Sequence, residues 1–171
     1  MRPIVALRNT GTRSIAWAAR AIHRIQQRER SMFSQRVKSV MEHRKLLIAS
    51  PQTSVGSASK LMAKKGTSAV MVVQQDLLVG IFTERDAVFR VMARGLDLKS
   101  TCLADVMTPS PQTVSPEQTF GSALMLMQVN GFRHVPVVLN GKPVGLVTPR
   151  SALDPELEEF VAEEQRRKHI V

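Results

Sequence analysis

Tyrosine is missing from this chain of 171 residues, tryptophan and cysteine occur once each, and phenylalanine only six times. With so few rings the core has to be aliphatic, built from Val, Leu, Ile and Ala with nine Met as flexible filler. The single cysteine, Cys102, excludes an internal disulfide framework and any cysteine-rich zinc cluster. It fits a reducing compartment, and a cytoplasmic location is the expectation. No stretch approaches the roughly 18 uninterrupted apolar residues of a membrane span. His23, His43, His134 and His169 are scattered, so no metal site is expected. A Gly-rich phosphate loop, a His-Glu-x-x-His pair and a nucleophile elbow are all lacking. No catalytic residue is expected, and the chain reads as a non-enzyme.

What is present begins with charge. The formal net charge is +10, but residues 1–30 hold seven Arg against one acid, Glu29. The remaining 141 residues hold 17 bases and 13 acids, close to an ordinary balance. The basic character therefore belongs to an Arg-rich extension, residues 1–31, and nucleic acid is not an expected partner of the body. Within it Ile15, Ala18, Ala19, Ile22 and Ile25 recur at helical spacing among Arg13, Arg20, Arg24 and Arg28. Three readings stay open: a targeting sequence, a basic helix lying on an anionic surface, or a poorly packed leader ahead of Met32.

The rest is a repeat. Shifted by 65 residues, the segment 50–88 matches 115–153 at 16 of 39 positions without a gap. Ser50-Pro51 falls on Ser115-Pro116, Gly56-Ser57-Ala58 on Gly121-Ser122-Ala123, Val79-Gly80 on Val144-Gly145, and Thr83 on Thr148. Each copy opens with a short extended segment (46–48; 113–114) and continues with a helix. That helix carries Val55, Ala58, Leu61 and Met62, or Phe120, Ala123, Leu124 and Met127, on one face. Gly66 and Gly131 stand where a helix terminates in a left-handed residue. Continuous apolar strands follow at 69–73 and 135–139, then turns at Gln74-Gln75-Asp76 and Asn140-Gly141-Lys142, then return strands at 78–82 and 144–147. A final helix begins at Thr83-Glu84-Arg85-Asp86 and runs on through Val88, Val91 and Met92. The unit is β-α-β-β-α, and the fold class is α/β (α+β).

The second copy reads Val106-Met107-Thr108-Pro109, then Ala123-Leu124-Met125-Leu126-Met127, Asn130-Gly131-Phe132-Arg133-His134-Val135-Pro136-Val137-Val138 and Gly141-Lys142-Pro143-Val144-Gly145-Leu146-Val147-Thr148. That order of elements resembles a CBS domain, and two in tandem resemble a Bateman module. The domains expected are a basic extension (1–31), CBS repeat 1 (32–95), and a segment (96–171) holding the linker, CBS repeat 2 and a C-terminal helix. The last begins at Asp154-Pro155-Glu156 and carries Leu157, Phe160 and Val161 as an apolar stripe. The resemblance implies repeats related by a pseudo-two-fold axis, clefts that hold adenosine nucleotides, and dimerisation through the helices.

Residue by residue, the resemblance gives Asp86 the ribose hydroxyls and puts Thr83 near the phosphate or sugar. Thr-x-x-Asp is equally a capping box that closes a helix start, and Thr83 can serve both roles. Arg133, His134 and Arg150 are implied as phosphate contacts, and Ile48, Val70, Met71 and Ile81 as the apolar slot for the base; these four also read as plain core. The second copy has Ser151 where the first has Asp86, and the first has Ser68 and Ala69 where the second has Arg133 and His134. Both asymmetries favour one cleft, with acid from repeat 1 and bases from repeat 2. The function expected is a regulatory sensor of an adenosine nucleotide: AMP first, then ADP, ATP or NAD. A homodimer and a separate effector protein are the expected partners. A ligand-free dimerisation platform is the alternative, and attachment to polyanions or membranes through residues 1–31 is a weaker one.

Overall fold

The computed structural model describes residues 32–42 and 46–152. The expectations for the Arg-rich extension and the C-terminal helix lie outside these residues. Repeat 1 comprises β1 (Ile48–Ala49), α2 (Val55–Lys65), β2 (Ala69–Gln74), β3 (Leu77–Thr83) and α3 (Glu84–Asp86), and a short α1 (Val37–Val40) precedes it. Then come α4 (Leu103–Val106), β4 (Thr108–Pro109), α5 (Phe120–Asn130), β5 (Val135–Leu139), β6 (Lys142–Val147) and a 3₁₀ turn at Pro149–Ala152.

Local chemistry sets these boundaries. The Ser54 and Thr119 hydroxyls accept from the amides of Ser57 and Ser122, which caps α2 and α5 at their starts. Both helices end on a left-handed glycine, Gly66 (φ 62°) and Gly131 (φ 70°). Each hairpin turns on two residues of positive φ, as a two-residue turn matched to strand twist requires. Asn140 and Gly141 suit that conformation (φ 53° and 78°), whereas Gln75 and Asp76 adopt it without glycine (φ 51° and 64°). Register slips at Val72/Val73 and at Val137/Val138, the same point of each copy.

The helix beginning at Thr83 departs from a regular α-helix. After Asp86 it widens into a π-turn over Ala87–Val91 and tightens to 3₁₀ over Met92–Arg94. The Met92 amide donates to both the Ala87 and the Val88 carbonyls. The widened turn buries Val91 completely while leaving Val88, Phe89 and Met92 outside.

In sequence each repeat is contiguous, but in space the segment leading into one repeat completes the sheet of the other. In repeat 1 the strand order is β1-β2-β3-β4, with β1 parallel to β2 and the other pairs antiparallel. Strand β4 belongs to the approach to repeat 2, yet it pairs with β3 through Ile81–Thr108 and Gly80–Pro109. Repeat 2 mirrors the pattern: Val114 bridges Val137 in parallel, and Glu42, on the approach to repeat 1, bridges Leu146. The short helices follow their strands. Leu103 and Val106 of α4 enter a core with Val55, Ala58, Met62, Val70, Val72, Phe82 and Val91. Val37 of α1 enters the other core, with Val114, Phe120, Ala123, Met127, Val135, Val137 and Val147. A third cluster, Ala69, Met71, Ile81 and Leu146, joins the two repeats face to face.

Two glycines make the exchange possible. A Cβ on Gly80 would run into the Met107 sulfur, and one on Gly145 into the Met41 sulfur. The Val-Met pairs at 40–41 and 106–107 are thus buttons, and the Val-Gly pairs at 79–80 and 144–145 are the holes they close.

Candidate functional site

Strand β3 delivers Thr83 to the mouth of a cleft between the repeats, and α3 starts there. The Thr83 hydroxyl accepts from the Asp86 amide (3.4 Å), while Asp86 Oδ2 accepts from the Thr83 amide (2.9 Å) and hydroxyl (2.7 Å). The Asp86 amide on the Thr83 hydroxyl and the Thr83 amide on Oδ2 form the reciprocal capping box, which holds the carboxylate almost buried. Asp86 Oδ1 faces Arg90 Nε at 3.3 Å. The same guanidinium donates through Nη1 to the Val106 carbonyl (3.0 Å), tying α3 to the end of α4.

The opposite wall is repeat 2. Arg133 stands exposed at the entry to β5, and His134, half-buried, forms a 2.7 Å hydrogen bond through Nε2 with the Ser68 hydroxyl of repeat 1. Burial lowers the His134 pKa below its ordinary value, and Arg133 acts in the same direction; Glu84 and Asp86 oppose it. Arg85 lies over the Phe89 ring, 5.7 Å from its centre, and reaches the Gly131 carbonyl at 3.5 Å. The approach to repeat 2 forms the rim with Thr108, Ser110, Pro111 and Gln112, the last donating to Asn130 Oδ1 (3.1 Å). The cleft encloses about 900 Å³, a volume suited to a nucleotide-sized ligand. Three arginines (85, 90 and 133) face two acids (Glu84 and Asp86) on its walls. A phosphate-bearing ligand meets a net positive field there.

Of the residues named from sequence, the structure brings Thr83, Asp86, Arg133, His134 and Ile81 to this one cleft. It does not bring the other four. Arg150 is exposed on the 3₁₀ turn at the end of repeat 2, where it is the counterpart of Arg85 and flanks Thr148 and Ser151 instead. Val70 and Met71 are sealed in the interior, at 0% and 2% exposure, Val70 within repeat 1 and Met71 between the repeats. Ile48 is half exposed on β1, in register with Met71. Apolar lining comes instead from Phe89 and Phe132, two of only six phenylalanines.

Sequence reasoning missed Arg85, Arg90, Ser68 and the rim at 108–112. Arg85 carried a signal, since it matches Arg150 across the repeat. The rim followed from the Val-Met match at 40–41 and 106–107, had the exchange of leading segments been foreseen. At the corresponding place of repeat 2, Ser151 Oγ accepts from the Thr148 amide at 3.1 Å. Serine keeps the cap there without the charge. Thr67, Ser68 and Ala69 stand where repeat 2 has Phe132, Arg133 and His134. Among the described residues no group of His, Cys, Asp and Glu is placed to hold a metal, and no helix is long and apolar enough to cross a membrane.

Comparison with known proteins agrees with this architecture. A profile of the CBS domain matches residues 37–93 and again 103–155. The mitochondrial CBS domain-containing protein CBSX3 of Arabidopsis thaliana is 34% identical over 117 residues, covering 66% of this chain and 57% of that protein. The meiotically up-regulated gene 70 protein of Schizosaccharomyces pombe is 32% identical over 131 residues, 70% of this chain but only 18% of its own length. Both relatives therefore extend well beyond the matched region. Among solved structures, a protein with CBS domains from Burkholderia ambifaria superposes with a TM-score of 0.65 at 31% identity, over 70% of this chain and 91% of that one. CBSX2 in complex with AMP superposes at 0.60 and 26% identity, over 72% and 97%. Two matched domains in tandem, each with its own core and each closing the other's sheet, make this chain a member of the CBS-domain family.

Proposed function

We propose that the chain is a regulatory module that binds one adenosine nucleotide in the cleft between its repeats. One observation carries the reading: Thr83 and Asp86 of repeat 1 open onto the same cleft as Arg133 and His134 of repeat 2. Asp86 accepts the ribose hydroxyls, Arg133 and the polar edge of His134 meet the phosphate, and Arg85 adds charge at the rim. The base lies against Ile81 and the segment 108–112, with Phe132 as an aromatic face. AMP is the proposed ligand, supported by the AMP complex of CBSX2; ADP, ATP and NAD share its adenosine end. Because the ligand touches both repeats, binding is read out as a change in how they are clamped together, sensed by a separate effector protein. No catalytic step is assigned to the cleft.

Exposed Val88, Phe89 and Met92 near one helix pair, and Met125 and Val129 on α5, support a homodimer through the helices. The compartment we infer is the cytoplasm. A fluorescent fusion of the full chain checks this, and mitochondrial accumulation would overturn it. The nucleotide reading is tested by thermal shift with AMP, ADP, ATP and NAD. A ligand at a hundredfold excess over its Kd stabilises the native state by about 2.7 kcal/mol. A melting temperature unmoved by all four would overturn the nucleotide reading in favour of the ligand-free dimerisation platform or attachment through residues 1–31.

A further inference from the structure

Asp86 has more claimants than its oxygens can serve. Oδ2 already accepts from the Thr83 amide and hydroxyl, and Oδ1 faces Arg90 Nε at 3.3 Å. A carboxylate presents about four lone-pair directions. Two are taken by the hydrogen bonds from Thr83, the Arg90 ion pair crowds a third on Oδ1, and a vicinal diol held by both hydroxyls needs two. The Thr83 amide cannot yield without opening the helix start, because its bond to Oδ2 is half of the capping box, and the Thr83 hydroxyl is held beside Oδ2 by the Asp86 amide, the other half. Arg90 can. It is the more exposed partner of the ion pair (41% against 11% for Asp86), and it has a second acceptor already engaged, the Val106 carbonyl at 3.0 Å. It also lines the cleft. The second copy has Pro155 at the matching position, a residue without a guanidinium.

Given Asp86 as the ribose acceptor, on which this step rests, we infer that Arg90 is a specificity-determining residue that competes with the ligand's sugar for that carboxylate. With Nε on Oδ1, Asp86 can receive one hydroxyl. With Nε withdrawn toward Val106, it can receive two. Arg90 therefore lowers the affinity for ribosides and blunts discrimination between ribose and 2′-deoxyribose.

The test is isothermal titration of adenosine, 2′-deoxyadenosine and AMP into the full chain and its Arg90→Met variant, which keeps the unbranched stem and removes the guanidinium. Arg90→Gln serves as a second variant, and melting curves of both report the fold. Adenosine, lacking phosphate, isolates the sugar from any attraction between Arg90 and an anion. Arg90→Met is expected to bind adenosine about threefold to tenfold more tightly, as loss of a partly exposed ion-pair competitor allows. The adenosine to 2′-deoxyadenosine affinity ratio is expected to widen. An unchanged ratio, or weaker adenosine binding in both folded variants, would overturn the inference while leaving the cleft a nucleotide site. If neither the wild type nor any variant bound any of the three ligands, or if Asp86→Ala left binding intact, the parent reading would fail and this one with it.

Discussion

Replacing Asp86 separates a helix cap from a ligand contact, provided two substitutions are compared. In Asp86→Ala the Thr83 amide and hydroxyl lose the acceptor they reach at 2.9 and 2.7 Å, and Arg90 loses its 3.3 Å partner. Loss of an N-terminal cap costs about 0.5–2 kcal/mol, and the half-exposed ion pair adds at most about 1 kcal/mol. In Asp86→Asn the amide oxygen can still accept from Thr83, so most of the cap survives and only the charge goes. Ligand binding should respond differently. Each charge-assisted hydrogen bond from ribose to the carboxylate is worth roughly 1.5–3 kcal/mol, about tenfold to a hundredfold or more in Kd. Asp86→Ala is expected to lose both stability and affinity, whereas Asp86→Asn keeps nearly wild-type melting but loses affinity for AMP by about tenfold or more. Thermal melts and isothermal titration on the same preparations read the two quantities separately. An Asp86→Asn variant that bound AMP as tightly as the wild type would refute the reasoning and leave Asp86 as a cap.

Three further outcomes follow from other parts of the molecule. Gly80→Ala pushes a methyl into the Met107 side chain and should destabilise by about 1–3 kcal/mol. Adding Met107→Ala should recover part of that loss, and strict additivity in urea unfolding would show that the leading segment does not press on Gly80. Because burial lowers the His134 pKa, the unfolded chain binds the proton more readily than the folded one. The stability this residue contributes is complete above the unfolded value near 6.5 and is lost as pH falls toward the depressed folded one. His134→Gln should therefore flatten the fall in urea midpoint between about pH 7.5 and 5.5, and identical slopes would exclude His134 as its source. Light scattering at tens of micromolar should give the mass of a dimer, and Phe89→Glu with Met92→Glu should give a monomer; a monomeric wild type contradicts the helix-face proposal.

The repeat made most of the fold legible. Caps, left-handed glycines and the Asn-Gly turn are local events, so α2, α5 and the two hairpins could be read almost to the residue. The exchange of leading segments was not legible, because it is a long-range choice. Nothing in Leu103-Ala104-Asp105-Val106 says which repeat's core receives Leu103, and only the Gly80–Met107 fit displays the answer. At the site, the CBS resemblance pointed to Thr83, Asp86, Arg133 and His134, and the contrast with Ser151, Ser68 and Ala69 in the other copy directed Asp86, Arg133 and His134 to one cleft. Arg90 pairs with Asp86 at ordinary i, i+4 spacing, but its second partner, the Val106 carbonyl, belongs to the exchanged segment and could not be read locally. Ser68 was set aside as unable to supply charge, yet it is the residue that receives His134.

The central claim, one adenosine nucleotide held between Asp86 and Arg133, is tested most directly by amide chemical-shift mapping while AMP is titrated into the full chain. Perturbations are expected to saturate at about one equivalent and to centre on Thr83, Asp86, Arg133, His134 and residues 108–112. Perturbations centred on Thr148, Ser151 and residues 67–69, or none at all at millimolar AMP, would contradict it.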